Sequence, residues 1–279
     1  MDLDLTDEQK MMVETARRVG EDFGLDYWRE KDAKKAFPAE AWRAICEAGL
    51  CGIALPEKYG GSGRGMFDMA LVIEALAAAG AGSTVGQLFM CNPIFGGVAI
   101  SHYGSDEMRE ELLPGLISGE KQFCMALTEP NAGSNTLEMR SYAKPDGDGF
   151  RLNGQKTWIT NVEASDKILV VARTVKYEDV KRRTDGITIF LIDTDREGIS
   201  HSSIDKLGTN TLPSSTIFFE NVRVEKHEII GTLHGGWREL LNILNTERIA
   251  TTAGLVGTVD LALRLAVDYA RDRKVFGET

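Results

Sequence analysis

One carboxylate stands out by its neighbours. Glu247 heads a strip of small residues, Thr251, Gly254 and Thr258, spaced i, i+4, i+7 and i+11 on a helical pattern. A carboxylate at the head of such a strip is a candidate site residue. The strip could let a thin ligand lie against the helix, and it fits close helix–helix packing over Gly254 and Gly257 as well. A second candidate is Ala126-Leu-Thr-Glu-Pro-Asn-Ala-Gly-Ser-Asn135, where small residues let backbone approach a ligand closely. A plain strand-to-loop turn accounts for Pro130 and Gly133 but not for the hydroxyls of Thr128 and Ser134. Other chemistries lack their spacing. Cys46, Cys51, Cys91 and Cys124 include no CxxC pair, and His102, His201, His227 and His234 form no HExxH or HxH set. Neither a metal site nor a disulfide framework is indicated. The glycine-rich loop at 59–65 (YGGSGRG) lacks the GK[ST] of a phosphate loop and reads as a turn between helices.

These residues must be positioned by a chain of 279 residues with 43% hydrophobic and 27% charged residues, the composition of an ordinary globular protein. Its net charge of −10 argues against general affinity for nucleic acid or an anionic membrane surface. No run reaches the roughly 18 apolar residues of a membrane span, and the start, MDLDLTDEQK, lacks the features of a signal peptide. A bacterial-type cytoplasmic protein is expected, or the mature form of an organellar one.

Three zones follow. Residues 1–120 read as a helical bundle, with a capping box at Thr6 to Gln9, Pro38 in the first turn of a helix, a mostly apolar helix from Met66 to about Ala79, and a helix capped by Ser105 that Pro114 disturbs. Residues 121–230 offer short β-prone runs (QFCMALT, GFRLNG, KTWITN, KILVVART, GITIFLID, STIFFENVRV) between turns, with no helices between them, which predicts an antiparallel barrel or sandwich. Residues 231–279 return to helix, with Ile249, Val256, Leu263 and Val267 on an apolar stripe. The predicted class is α+β multidomain: an N-terminal helical bundle, a middle β-domain and the start of a C-terminal helical bundle. The absence of βαβ units removes a Rossmann site.

Four strings in register give this layout a specific resemblance. The string at 126–135, then Leu152-Asn-Gly-Gln-Lys-Thr-Trp-Ile-Thr-Asn161, then Lys206-Leu-Gly208 with Phe219-Glu-Asn-Val-Arg223, and finally Tyr269-Ala-Arg-Asp-Arg-Lys-Val-Phe-Gly277, resemble motifs of the acyl-CoA dehydrogenase family. The usual Asp after the Ser of the first motif is here Asn135. The resemblance implies FAD, with Met125, Leu127 and Thr128 at the flavin pyrimidine edge and Gly133 and Ser134 at the pyrophosphate and substrate. It implies Trp158, Ile159 and Thr160 beside the isoalloxazine, although Trp158 alone would read as a core or face residue. Arg273, with Phe276, is implied at the pyrophosphate of a flavin in a neighbouring subunit, since guanidinium suits phosphate oxygens. Most members place the catalytic base late in the C-terminal bundle; a minority place it at the position of Glu247, with Asn245, Thr246 and Arg248 toward the substrate. The implied reaction is α,β-dehydrogenation of an acyl-CoA, with electrons passed to an electron-transferring flavoprotein. Alternatives of the same resemblance are an acyl-CoA oxidase, an enoyl-CoA reductase, or a partner subunit in a heteromer. A homo-oligomer, dimer or tetramer, is expected. Members continue beyond the position of Thr279, so a fragment or a short relative that holds FAD weakly or not at all by itself is expected. The apolar face of its last helix should then lack cover within the chain.

Overall fold

Helix formation starts where the chain first offers a cap. The computed structural model describes residues 4–276. The Thr6 hydroxyl accepts from the Gln9 amide at 3.2 Å, and the Gln9 side chain returns a bond to the Thr6 amide at 3.0 Å, opening α1 (Asp7–Glu21). Gln9 also donates to Asp68, which ties α1 to a later helix. After α2 (Leu25–Ala33) and α3 (Ala39–Glu47), the 59–65 loop leads into α4 (Met66–Leu76). The apolar run predicted to continue that helix instead widens into a π-type turn, Ala77–Ala81, with Gly80 at φ 142°. Then follow α5 (Ser83–Phe89), a second π-type stretch, Met90–Val98, α6 (Ala99–Tyr103) and α7 (Asp106–Ile117). Pro93 lies in the wide stretch, where its missing N–H fits the altered bonding. Pro114, read as a disturbance of this helix, lies inside α7, which runs on to Ile117.

The middle of the chain forms one eight-stranded sheet. Its strands are β1 (Phe123–Ala126), β2 (Tyr142–Asp146), β3 (Gly149–Thr160), β4 (Lys167–Arg173), β5 (Ile187–Asp193), β6 (Ile199–Ile204), β7 (Ser214–Val224) and β8 (Ile229–Ile230). The order is β6-β7-β3-β2-β4-β5-β8, with β1 beside β4. The expectation of a purely antiparallel sheet needs correction: β1 pairs with β4 in parallel, and β2 touches β4 in parallel at Tyr142 and Arg173. No helical crossover is needed, because the β2–β3 hairpin fills the connection. The runs GFRLNG and KTWITN are one strand, β3, interrupted by bulges opposite β7.

The last helix, α8 (Trp237–Asp272), lies on α4, α5 and the π-type turn between them. Its buried face is the small-residue one, including Ala250, Ala253, Gly254 and Gly257, and its apolar stripe faces outward, with Ile249 44%, Val256 48% and Leu263 61% exposed. A Cβ on Gly254 would sit 3.1 Å from the Gly86 Cα, so the two backbones touch. Of the two readings of the strip, close helix packing is the one the structure takes. Two helical stretches, Ser83–Tyr103 and Trp237–Asp272, are long and apolar enough to cross a membrane by length and composition. This corrects the sequence reading, which sought unbroken apolar runs and passed over helices rich in Gly, Ala and Thr. The first stretch is 83% buried within the protein.

Candidate active site

The ends of β1 and β3 meet the wide helical stretch and α8 at a cleft of about 270 Å³. It is lined by Met90, Cys91, Phe95, Met125, Leu127, Thr128, Trp158, Ile159, Thr160, Leu244 and Glu247. Three devices bring these residues together. The Asn92 side chain accepts from the Phe123 amide at 2.9 Å and donates to the Leu88 carbonyl at 3.3 Å, fixing the wide stretch against β1. The Thr157 amide donates to the Thr128 carbonyl at 2.9 Å, which lays the segment after β1 along β3. Lys156, wholly buried, donates to the Leu127 carbonyl at 2.8 Å and to Glu129 at 2.9 Å.

Glu129 is itself nearly buried and accepts from the backbone amides of Arg140 and Ser141 at 2.6 and 2.9 Å. Burial alone would raise its carboxyl, but the Lys156 ammonium and these bonds hold it below the usual range. Burial lowers Lys156, and Glu129 opposes that shift. A charged pair with its remaining hydrogen bonds filled therefore staples two cleft-forming segments.

Trp158 owes its position to a bulge. Between Lys156 and Ile159 the strand advances three residues while β7 advances two, and Trp158 takes φ 62°. A left-handed backbone at a bulky residue costs on the order of 1–3 kcal/mol and persists where the surroundings impose it. The result is an indole 58% exposed at the cleft.

Glu247 is half-buried on the α8 side. Burial raises its pKa above the ordinary carboxylate value, and the Arg248 guanidinium opposes the rise. Among the described residues no side chain or amide donates a hydrogen bond to this carboxylate. A folded-state pKa above the unfolded one means that this group's contribution to stability falls as pH rises from the ordinary value through the raised one. Replacing Arg248 by Met removes the opposing charge and should move the Glu247 carboxyl still higher. Carbon-13 titration of the glutamate carboxyls would show it, and an unchanged or lowered midpoint would contradict the electrostatics described.

The structure thus gathers Met125, Leu127, Thr128, Trp158, Ile159, Thr160 and Glu247 into one cleft. Gly133 and Ser134 lie in the exposed loop beyond Glu129, outside the cleft lining. Asn245 and Arg248 are exposed and bonded to each other at 2.8 Å, and the Thr246 hydroxyl donates to the Ile243 carbonyl, so none of these three lines the cleft. Arg273 is 26 residues beyond Glu247, about 39 Å along a helix, and Phe276 is fully exposed beside it. In this chain they are not part of the cleft. Gly277 lies outside the described residues. Of the neighbouring apolar residues Phe89, Met90 and Ile94, the first and last are core and only Met90 reaches the cleft. Cys91, Phe95, Leu244 and the Glu129–Lys156 pair escaped the sequence reading. A Glu in one motif string and a Lys in the other were the available signal.

A helical layer, a sheet and a long closing helix around a cleft of this make-up have close counterparts. The acyl-CoA dehydrogenase N-terminal domain model matches residues 6–120, the middle domain model 124–222 and the C-terminal domain model 234–279. The acyl-CoA dehydrogenase FadE12 of Mycobacterium tuberculosis is 33% identical over 91% of this chain, which spans 64% of that relative's length. A 3-(aryl)acrylate reductase of Clostridium sporogenes is 34% identical over 97% of this chain and 71% of its own. A solved glutaryl-coenzyme A dehydrogenase in complex with glutaryl-CoA aligns with a TM-score of 0.93 at 32% identity, covering 100% of this chain and 70% of that one. The chain belongs to the acyl-CoA dehydrogenase family. This membership indicates FAD as the cofactor. The cleft fits a flavin's reactive end: apolar walls from Met125, Leu127 and Ile159, an indole face presented by the bulge, and the hydroxyl-bearing residues Thr128 and Thr160.

Proposed function

We propose that this chain forms the catalytic cleft of an FAD-dependent enzyme that removes hydrogen from the α and β carbons of an acyl-CoA thioester, with Glu247 as the base. The observation that carries the reading is Glu247 itself. A carboxylate raised by burial and free of donors shares a cleft with the residues assigned to the flavin. FAD, when bound, supplies the hydride acceptor. The protein's part is to exclude water, hold the thioester and take the α-proton onto the Glu247 carboxylate, for which a raised pKa is favourable. Thr128 and Thr160 offer hydroxyls for the polar edge of the flavin, and Met125, Leu127 and Ile159 a dry wall. Ser134, Asn245, Thr246 and Arg248 would serve the CoA moiety outside the cleft, as the resemblance implies. Arg273 and Phe276, far along α8, would serve the flavin of another copy in a homo-oligomer. An electron-transferring flavoprotein is the proposed acceptor of the electrons, in a bacterial-type cytoplasm.

Similarity to the 3-(aryl)acrylate reductase supports a second reading, in which the same groups run the addition of hydrogen to an enoyl thioester. In that direction Glu247 delivers the proton. The test is the visible spectrum of the FAD-loaded protein under anaerobic conditions. Addition of a saturated acyl-CoA should bleach the flavin band. Failure to bleach with any of a panel, together with reoxidation of the reduced protein by enoyl-CoA, would favour the reductase.

A further inference from the structure

We infer that backbone contact between α5 and α8 closes the inner end of the cleft, so that the site takes thioesters with compact acyl groups and rejects long straight chains. The inference rests on the acyl-CoA reading above and specifies its substrate class. An alkyl chain running inward past Glu247 would have to pass between α8 and the helices beneath it. Apolar heavy atoms in contact stand about 4.0–4.5 Å apart, so a chain threading between two walls needs roughly twice that separation. No such gap exists. A Cβ on Gly86 would meet the Ala250 carbonyl at 3.3 Å and the Gly254 Cα at 3.5 Å. One turn further, a Cβ on Gly257 would overlap the Glu74 carbonyl and lie 2.7 Å from the Ala77 Cβ.

The other inward direction is closed by side chains. Cys91 and Phe95 are 1% and 6% exposed and form the floor, and Asn92 between them is bonded on both sides, to β1 and to Leu88. The floor cannot drop without breaking those bonds. Met90 and Leu244, only partly buried, are the cleft residues whose removal adds room without opening the core.

Calorimetric titration of the FAD-loaded protein with CoA, butyryl-CoA, octanoyl-CoA and palmitoyl-CoA tests this without requiring turnover. Butyryl-CoA should bind more tightly than CoA, and octanoyl-CoA and palmitoyl-CoA should bind about tenfold or more weakly than butyryl-CoA, the scale on which apolar pockets discriminate size. Met90→Ala or Leu244→Ala, shown folded by circular dichroism and a cooperative thermal transition, should narrow the octanoyl penalty relative to butyryl-CoA. Octanoyl-CoA or palmitoyl-CoA binding to the unaltered protein as tightly as butyryl-CoA would overturn the size limit and leave the acyl-CoA reading standing. Absence of binding by every thioester would overturn that reading, and this inference with it.

Discussion

Glu247→Gln is expected to slow flavin reduction by an acyl-CoA about 10²–10⁴-fold, the usual contribution of a positioned general base. Gln has nearly the same shape, so the cleft should keep its walls and still bind the thioester. It cannot accept a proton from carbon. Among the described residues no other carboxylate lines the cleft, and the hydroxyls of Thr128 and Thr160 are poor bases. Glu247→Asp should fall in between, because the carboxylate survives but retreats by one methylene. Single-turnover stopped-flow reduction under anaerobic conditions gives the rates. Substrate affinity measured alongside separates loss of the base from loss of the site. A Gln variant that reduces its flavin at nearly the native rate would place the base elsewhere, as in the family's late-base members.

The second large effect is structural. Lys156→Met should cost about 3–5 kcal/mol, as expected when one partner of a buried pair is removed. Glu129 would then remain buried with two backbone bonds and no hydrogen-bonded cation, with only the more distant Arg173 acting on it. Its pH behaviour should invert. In the native protein the depressed carboxyl adds stability above its unfolded pKa, and this is lost as pH falls through the folded value. In the variant, burial dominates and raises the folded pKa, so stability should fall as pH rises between the unfolded and folded values. The double change Glu129→Gln with Lys156→Met should recover much of the loss. Flavin affinity should drop in the single variant, because Lys156 also holds the Leu127 carbonyl. Urea unfolding at neutral and mildly acidic pH measures both effects. A loss below about 1 kcal/mol, the scale of exposed pairs, would mean the pair is not the staple described.

Much of the site was legible as strings. Thr128, Trp158 and Thr160 were named from motifs, and the cleft contains all three. What periodicity could not supply was direction. The spacing of Glu247, Thr251, Gly254 and Thr258 showed that they share a face, but not what that face meets. Its partner, Gly86, lies more than 160 residues earlier, and the contact exists because both positions lack side chains. The apolar stripe of α8 was legible: it was expected to lack cover within the chain, and Ile249, Val256 and Leu263 are exposed. Trp158 fits an uninterrupted strand by sequence. Its exposure depends on a bulge set by register against β7, a long-range property. The Glu129–Lys156 pair joins residues 27 apart through tertiary packing, and only the fold shows that both are buried.

The central claim is that Glu247 takes the α-proton, and the most direct measurement follows that proton. The FAD-loaded protein is incubated in deuterium oxide with butyryl-CoA, and deuterium entering the α carbon is followed by proton NMR. The native protein should catalyse the exchange, with Glu247→Gln reducing it about 10²–10⁴-fold at unchanged butyryl-CoA affinity. Exchange at the native rate in the Gln variant would contradict the assignment of the base.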